Sequence, residues 1–416
     1  MRITIVSQFF EPEPAITANA LAEDLVAGGH EVTVITGFPN RPGGRLFPGY
    51  RQRFGVRDAY RGSQVRRVPL IVNHDRNPVR RVANFTTFAL ASFYETQAGK
   101  SADVVYVYGT PMTAAIAPRI WKSLFKTPYV LHVQDLWPES VTNSGMLSSG
   151  VVNRAAEALL RPLLAWLYNG ADSVIAIAPG MARALEARGV EREKISLLLN
   201  WADENNAKSI PPSSSAYGLR LVYAGNLGQF QDLETIIDAA RLLQNVPDLS
   251  IEIVGDGTES SNLRQRAAGL DNLVFTGRLT RAEMPEVYRR SDFQLVTLKD
   301  LPIFRGTIPS KFQGSLMAGV PVITNVTGDV SEIVLGESLG FTTKPADPEA
   351  LARTIMEAYE TPAVERQRMG ANARRYYENK MSRQQGVQKI AALLSEASLR
   401  RYAAGGKAAN RRAGTA

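Results

Sequence analysis

The chain has 416 residues, is 44% apolar and 21% charged, and carries a formal net charge of +8. That length suits two domains, each with its own core. It holds no cysteine, which excludes disulfides, thiolate metal sites and a cysteine nucleophile and fits a reducing compartment.

The three histidines, His30, His74 and His132, stand far apart, so a histidine metal cluster is not expected. No segment approaches the ~18 consecutive apolar residues of a membrane span. The positive charge is unevenly placed. Eleven arginines between Arg41 and Arg81 meet only Asp58 and Asp75, and Arg400, Arg401, Lys407, Arg411 and Arg412 meet no acid. Such stretches suit a solvated surface, an anionic lipid surface or an anionic substrate. Nucleic acid fits less well, because no aromatic–basic platform accompanies the charge.

The opening MRITIVSQFFEPEP is a strand-length apolar run that meets acids and prolines at once, so it reads as structure and not as a signal peptide. The expected location is cytoplasmic, with docking on the inner membrane face left open. Strands follow at Ile3–Val6, Val32–Thr36, Val104–Tyr108, Tyr129–Val133, Ser173–Ala178 and Ile195–Leu199. Helical patterns lie between them at Thr17–Ala27, Arg80–Ala98, Met112–Phe125, Val152–Tyr168 and Gly180–Arg188. Apolar runs without strict alternation mark strands buried on both faces, hence a parallel sheet covered by helices. Gly37–Arg67 is long for a connection and reads as a functional or mobile loop. Pro78–Ala98 has a basic start and an aromatic face, which suits either a core-facing helix or an anionic membrane surface.

Residues 204–217, with a Pro pair and a Ser run, form the best linker. The α/β pattern then restarts, with strands at Leu221–Ala224, Ser250–Val254, Leu273–Thr276, Phe293–Leu298, Val322–Asn325 and Phe341–Thr343. Helices alternate with them at Asp232–Leu243, Glu259–Ala268, Glu283–Arg289, Pro309–Ala318 and Pro348–Tyr359. The domains are therefore expected at 1–203 and 218–380, followed by a helix over 381–402 and a disordered basic tail over 403–416. In Leu221–Ala240, LVYAGNLGQFQDLETIIDAA, a strand runs through Gly225 and Gly228 into a helix with Asp232 as N-cap. Glycines and a helix start of this kind favour phosphate. Two doubly wound domains facing across a cleft would bind a nucleotide-linked substrate beyond their strand ends.

The second half resembles the retaining glycosyltransferases of family 4, which have the GT-B fold of two Rossmann-like domains. The matching residues are AGNLGQFQDLET (Ala224–Thr235), IVGDG (Ile253–Gly257), LVFTGRL (Leu273–Leu279), IPSKFQGSLMAGVPV (Ile308–Val322) and DPEAL (Asp347–Leu351). In the first half, GGHEVTVIT (Gly28–Thr36), GFPNRPGG (Gly37–Gly44), HVQDLWPES (His132–Ser140) and LNWAD (Leu199–Asp203) are similar to bacterial enzymes of O-antigen and capsule synthesis. That branch includes transferases of N-acetyl-fucosamine-type sugars onto lipid-linked acceptors. The resemblance implies a hexosyl-type transfer from a nucleotide-sugar, most simply UDP-linked, to a polyprenyl-diphosphate-linked acceptor. It also implies a retained anomeric configuration and no metal or other cofactor; the chain has no Asp-x-Asp motif. The C-terminal helix is expected to return to the first domain.

The same resemblance sets the candidate residues. Ser310 and Lys311 open a helix, where a lysine is unfavourable for the helix dipole; Lys311 is expected to stabilise the departing diphosphate. Arg278 and Arg305 are further cations on loops that follow strands. Gly225 and Gly255 would admit the donor. Asn226 and Gln231 stand where many family members have Arg and Lys, so they are expected to form a neutral hydrogen-bonding wall, with the positive charge across the site at Lys311. The family's paired glutamates fall on Gly306 and Gly314, so either Gln313 or Glu332 holds the ribose, or donor affinity is weaker, or the chain is catalytically compromised. His132 and Asp135, just past a buried strand, are expected near the reacting sugar, His132 orienting a hydroxyl or stabilising charge and Asp135 acting as a hydrogen-bond partner or a cap. Glu11 and Glu13 read as loop charges in preference to ligands of acceptor hydroxyls. Two other readings stay open: a non-hydrolysing nucleotide-sugar epimerase, which shares the fold, and a catalytically degenerate donor-binding protein, suggested by Gly306 and Gly314.

Overall fold

Runs of Val and Ile, buried on both faces, build two separate sheets. The computed structural model describes residues 1–41, 43–73, 78–137, 150–204 and 218–413. Contacts divide them into a first unit of residues 1–177, 181–198 and 386 onward, and a second unit of 178–180 and 199–385.

In the first unit the strands are β1 (Arg2–Val6), β2 (Glu31–Gly37), β3 (Val56–Tyr60), β4 (Ser63–Val68), β5 (Val104–Gly109), β6 (Tyr129–Val133), β7 (Ser173–Ala176) and β8 (Ile195–Leu197). Their order is β3-β4-β2-β1-β5-β6-β7-β8. All neighbours are parallel except β3 and β4. Ile3 pairs with Val32 on one side and Val104 on the other, so the order reverses at β1, between β2 and β5. The helices are α1 (Ile16–Ala27), α2 (Pro78–Ala91), α3 (Thr96–Ser101), α4 (Ile116–Phe125), α5 (Gly150–Gly170) and α6 (Pro179–Ala187).

Two expectations change here. Gly37–Arg67 is not one long loop, because its second half joins the sheet as β3 and β4. The turn between them, Arg61–Gly62, has φ of 47° and 87°, the doubly positive pair that suits a two-residue hairpin. Arg57 and Arg66 stand directly opposite each other in this pair, and like charges so placed destabilise a sheet. Both reach the buried Glu95, at 2.6 and 3.0 Å, and the shared carboxylate offsets their repulsion. The expected single helix over Arg80–Ala98 is broken: α2 ends at Ala91, a 3-10 turn spans Ser92–Glu95, and α3 follows. Arg76, His74 and the segment Glu139–Ser140 lie outside the described residues.

In the second unit β9 (Leu219–Ala224), β10 (Leu249–Val254), β11 (Leu273–Gly277), β12 (Phe293–Val296), β13 (Val322–Thr324) and β14 (Gly340–Thr342) form a parallel sheet of order β11-β10-β9-β12-β13-β14. Its reversal lies between β9 and β12, the place where open α/β sheets leave a crevice for ligand. The helices are α7 (Leu233–Leu242), α8 (Ser260–Arg266), α9 (Met284–Arg289), α10 (Ser310–Ala318), α11 (Asp329–Gly336), α12 (Pro348–Glu360) and α13 (Ala363–Lys380). The short α11 has no counterpart in the sequence reading. Ile236 and Ile237 of α7 share one core with Leu351 and Ile355 of α12 over β9, β10 and β12.

The chain passes between units at Leu198–Leu199, earlier than the expected boundary at 203. Ala202 donates its N–H to the Tyr377 hydroxyl, and the Glu204 carboxylate accepts from Tyr377 and from the Arg383 N–H, each at 2.7 Å. These bonds tie 202–204 to the second unit. The rest of the expected linker, 205–217, lies outside the described residues. The last helix, α14 (Arg383–Ala413), belongs to the first unit from Gly386. There Ile390, Leu394 and Ala397 are buried. Lys389 donates to the Leu197 carbonyl at 2.7 Å and Arg401 to that of Ala102 at 2.7 Å. The helix continues to Ala413, past the expected start of a disordered tail at 403; alanine and arginine are strong helix formers.

Gly255, after β10, has φ of 145°, and a Cβ there would lie 1.8 Å from the Gly225 carbonyl oxygen. A side chain at this φ is strained by ~1–3 kcal/mol even before the clash. Gly255→Ala is therefore expected to lower the melting temperature by roughly 4 °C or more. A melt that superimposes on that of the native protein would show that the two loops do not need this close approach.

Candidate functional site

The ends of β9, β10 and β11 in the second unit frame a cavity of about 570 Å³. Gly225, Asn226, Gly255 and Arg278 line it, so the structure brings together these four of the expected donor-binding residues. Val254, Leu279 and Met284 give it an apolar side. Gly257 also borders it, and its lack of a side chain lets the β10 loop lie on Leu227, whose carbonyl oxygen would be 2.4 Å from a Cβ. Asp256 is exposed, and its carboxyl is held below the usual range by the Ser260 hydroxyl and then by the Gly257 N–H.

Lys311, in the first turn of α10, reaches the back of this wall. Its Cε lies 3.6 Å from where a Cβ on Gly225 would stand. Its ammonium donates to the Tyr223 hydroxyl at 2.9 Å, to Gln231 Oε1 and, at 3.5 Å, to the Thr297 carbonyl beyond β12. It also sits 4.1 Å from the centre of the Tyr223 ring, a favourable cation–π distance. All these partners are neutral, and burial pushes the Lys311 ammonium down to about 7.

Gln231 therefore does not stand opposite Lys311 as expected. Its side-chain oxygen is committed to the lysine, and only Asn226 of the two amides faces the cavity. Asp232 is a cap by position but not by bonding. It sits at φ 52° with no side-chain bond to the helix backbone. Its carboxylate instead accepts from the Thr235 hydroxyl at 2.8 Å and the Asn325 amide at 2.6 Å, and burial raises its pKa. Ser310, Arg305 and Glu332 do not line the cavity. Ser310 is exposed at the start of α10, Glu332 is exposed on α11, and Arg305 pairs with Asp300 at 3.6 Å. Gln313 is buried, with Nε2 turned back to the Ile308 carbonyl at 3.5 Å.

The structure gives a reason for Gly314. A Cβ there would meet the Tyr288 hydroxyl at 2.7 Å. Tyr288, on α9, is buried enough to push its phenol up to about 12, and it occupies the space above Gly314 that a longer residue would need. Neither Tyr223 nor Tyr288 was singled out from the sequence, since each reads there as an ordinary core aromatic.

In the first unit, the candidate residues gather beyond β1, β2, β5 and β6. His132 lies within β6, fully buried, and pairs in register with Tyr108. Its Nδ1 shares a hydrogen bond of 2.6 Å with the Tyr106 hydroxyl, and Nε2 has no partner among the described residues. Desolvation pushes the imidazole down to about 3, so it is neutral at any physiological pH. A neutral ring can still take either expected role, orienting a hydroxyl or stabilising charge, through its hydrogen bonds.

Asp135 is exposed by surface area, yet the surrounding protein desolvates its carboxyl enough to raise its pKa; the Thr110 hydroxyl, Arg41 and Arg81 oppose that shift. Arg41 and Arg81 repel each other, and the Arg81 guanidinium is lowered first by burial and then by Arg41. Arg41 lies over the Phe9 ring at 4.4 Å. Glu13 is not a loop charge. It is buried, and Oε1 accepts the N–H groups of Asn40 and Arg41, each at 2.8 Å. Glu13 thus fixes the loop that carries Arg41. Burial raises its carboxyl, and Oε2 has no partner among the described residues.

Among the described residues no group of three His, Cys, Asp or Glu could hold a metal ion, and no helix is long and apolar enough to cross a membrane.

Comparison with known proteins gives two family matches: a glycosyl transferase 4-like domain over residues 14–201, and a glycosyl transferases group 1 domain over residues 216–376. The probable glycosyltransferase WbjE of Pseudomonas aeruginosa is 26% identical over 79% of this chain and 84% of its own length. WcaI of Escherichia coli (strain K12), whose name assigns it to colanic acid biosynthesis as a glycosyl transferase, is 27% identical over 82% and 87%. Among solved structures, Anabaena Alr3699/HepE in complex with UDP superimposes with a TM-score of 0.69 at 18% identity, covering 95% of this chain and 100% of that one. The two α/β units thus have the GT-B fold.

His132 also yields a test of stability. Its pKa is about 3 when folded and ordinary when unfolded, so between those values the unfolded chain binds the extra proton. Stability is therefore lost as pH falls through this window, by up to ~1.4 kcal/mol per pH unit. Against His132→Gln, the native protein is expected to lose roughly 3 °C more per pH unit between pH 6 and 4. Parallel melting curves would mean that His132 is not held neutral.

Proposed function

Because this chain is a glycosyltransferase of the GT-B fold, we propose that it is a retaining, metal-independent enzyme that moves a sugar from a UDP-linked donor to a polyprenyl-diphosphate-linked glycan. Its place would be surface polysaccharide synthesis of the O-antigen or capsule kind, on the inner face of the membrane. The observation that carries this reading is Lys311, a half-buried lysine whose partners among the described residues are all neutral, beside a glycine-lined cavity at the reversal of a parallel sheet. A diphosphate in the cavity would supply the missing anion.

In this reading the apolar side, Val254, Leu279 and Met284, takes the base, while the Gly225 and Gly255 loops pass close to the phosphates. As the bond from the sugar to the diphosphate breaks, negative charge grows on the leaving β-phosphate. Lys311, protonated, would release one of its three neutral acceptors, Tyr223, Gln231 or Thr297, and donate to those oxygens, where preorganised charge stabilises the leaving group. No protein-held metal or cofactor enters the proposal. UDP is the ligand named for the HepE structure, and colanic acid biosynthesis is in the name of WcaI; both support the choice of donor and pathway class.

The acceptor side of the proposal rests on the first unit. Arg41 and Arg81 repel each other with Asp135 as their nearby carboxylate, an arrangement that favours an anionic acceptor group. Phe54, Leu90 and Tyr94 are exposed by 51, 62 and 57%, with the Phe54 and Tyr94 rings 4.8 Å apart and the exposed Arg51 and Arg53 beside Phe54. Apolar tips among arginines suit an anionic membrane surface.

Two measurements test the donor side. UDP binding should take up a proton above pH 7, because free Lys311 is then largely neutral and the complex needs it charged. The dissociation constant is expected to rise toward ~10-fold per pH unit between pH 7 and 9, and this slope should vanish in Lys311→Ala. In turnover assays across UDP-sugars, Lys311→Ala should lower kcat by ~100-fold with KM changed only a few-fold; an unchanged kcat removes Lys311 from the mechanism. Isomerised donor formed without acceptor would support the epimerase reading. Tight nucleotide binding without any turnover would support a donor-binding protein.

A further inference from the structure

We propose that Tyr223 is the positioning residue of the donor site: its hydroxyl joins Lys311 to the Asn226–Gln231 loop and holds the ammonium behind the Gly225 wall of the cavity. This rests on the reading of Lys311 given above and concerns a residue that makes no ligand contact of its own.

Tyr223 is the penultimate residue of β9 and is fully buried, so its ring is fixed by the core. Its hydroxyl is the meeting point of three elements. It accepts from Lys311 Nζ of α10 at 2.9 Å, and it lies 2.8 Å from the Asn226 carbonyl and 3.1 Å from Gln231 Oε1. The phenol has one proton, which goes to one of those two oxygens; its lone pairs are what the ammonium uses. The hydroxyl thus holds the lysine and the glycine loop in one geometry.

The other titratable and charged groups around Lys311 are engaged elsewhere. On the loop and α7, Asp232 is bonded to Thr235 and Asn325, and Glu234 lies 3.6 Å from Lys299 of the segment after β12. Before α10, Arg305 pairs with Asp300. Tyr288 of α9 lies over Gly314, one turn further along α10. Arg278 and Asp256 border the cavity from beyond β11 and β10, with Asp256 bonded to Ser260 and Gly257. The neutral oxygens of Tyr223, Gln231 and Thr297 are therefore the groups that hold the charged form of the lysine in the empty site. Burial destabilises that form, and an accepting oxygen offsets the effect.

Removing the hydroxyl takes away one of these oxygens and keeps the ring, so the lysine should lose its proton at lower pH and be held less firmly. The test compares the native protein, Tyr223→Phe and Lys311→Ala by titrating UDP calorimetrically from pH 6 to 9, with melting curves to confirm folding. In Tyr223→Phe the pH at which affinity begins to fall is expected to move down by about half a unit or more, and affinity at pH 8 to drop roughly three- to tenfold. The Lys311 side-chain resonance, followed by NMR without ligand, should titrate lower by the same interval, which gives a readout independent of binding.

If Tyr223→Phe keeps both the native pH profile and the native Lys311 titration, while Lys311→Ala abolishes the profile, Tyr223 is only a core residue and the proposal fails. If Lys311→Ala keeps the profile, the underlying reading of Lys311 fails first, and the proposal with it.

Discussion

A buried ammonium needs either a counter-charge or enough oriented oxygen to replace water. In the second unit Lys311 has the oxygens and no counter-charge. Much of that unit's upper edge follows from this one arrangement. The sheet reverses between β9 and β12, which leaves a crevice at their ends. Glycines at 225, 255 and 257 let the loops close over each other there. Tyr223 at the end of β9 and Thr297 beyond β12 then supply lone pairs from the two sides of the reversal. The result is a lysine held by neutral oxygens from both sides of the reversal.

The arginine-rich stretch shows how misleading a count of charges can be. Arg57 and Arg66 share the buried Glu95, and Arg67, itself buried, bonds to Asp58 and to the carbonyls of Gly37 and Glu11. These three arginines tie β3 and β4 to carboxylates and carbonyls, although Arg57 keeps half of its side chain exposed. Arg41 and Arg81 are of another kind, held near each other with Asp135 as the shared carboxylate. Glu13 anchors the loop of Arg41 by its backbone, so a residue that looked like a loop charge decides where a candidate binding group sits.

Gly314 is a second case where the neighbour explains the residue. Glycine within a helix costs about 1 kcal/mol relative to alanine, and the sequence offers no reason for it. The Tyr288 hydroxyl fills the space a side chain would take. The two positions form one exchange, a small residue on α10 for a large one on α9. The departure from the family's glutamate is thus built into the packing of this site.

Much of this protein was legible in the order of its residues. Buried runs such as Val104–Gly109 and Leu249–Val254, separated by helical periods, dictate parallel sheets, because only such sheets bury strands on both faces. Glycine-bearing loops after β9 and β10 marked the place where the cavity forms, since glycine is the residue that permits close approach of backbones. The β3–β4 pair was missed because its alternating arginines look like a solvated loop until Glu95, distant in sequence, is brought beneath them. Gln231 and Lys311, eighty residues apart, could be assigned to a site but not to each other. The neutrality of His132 and the titration range of Lys311 were likewise out of reach. Both are set by burial and by which oxygens lie within 3 Å, and those follow from the folding of distant segments against one another and not from the local sequence.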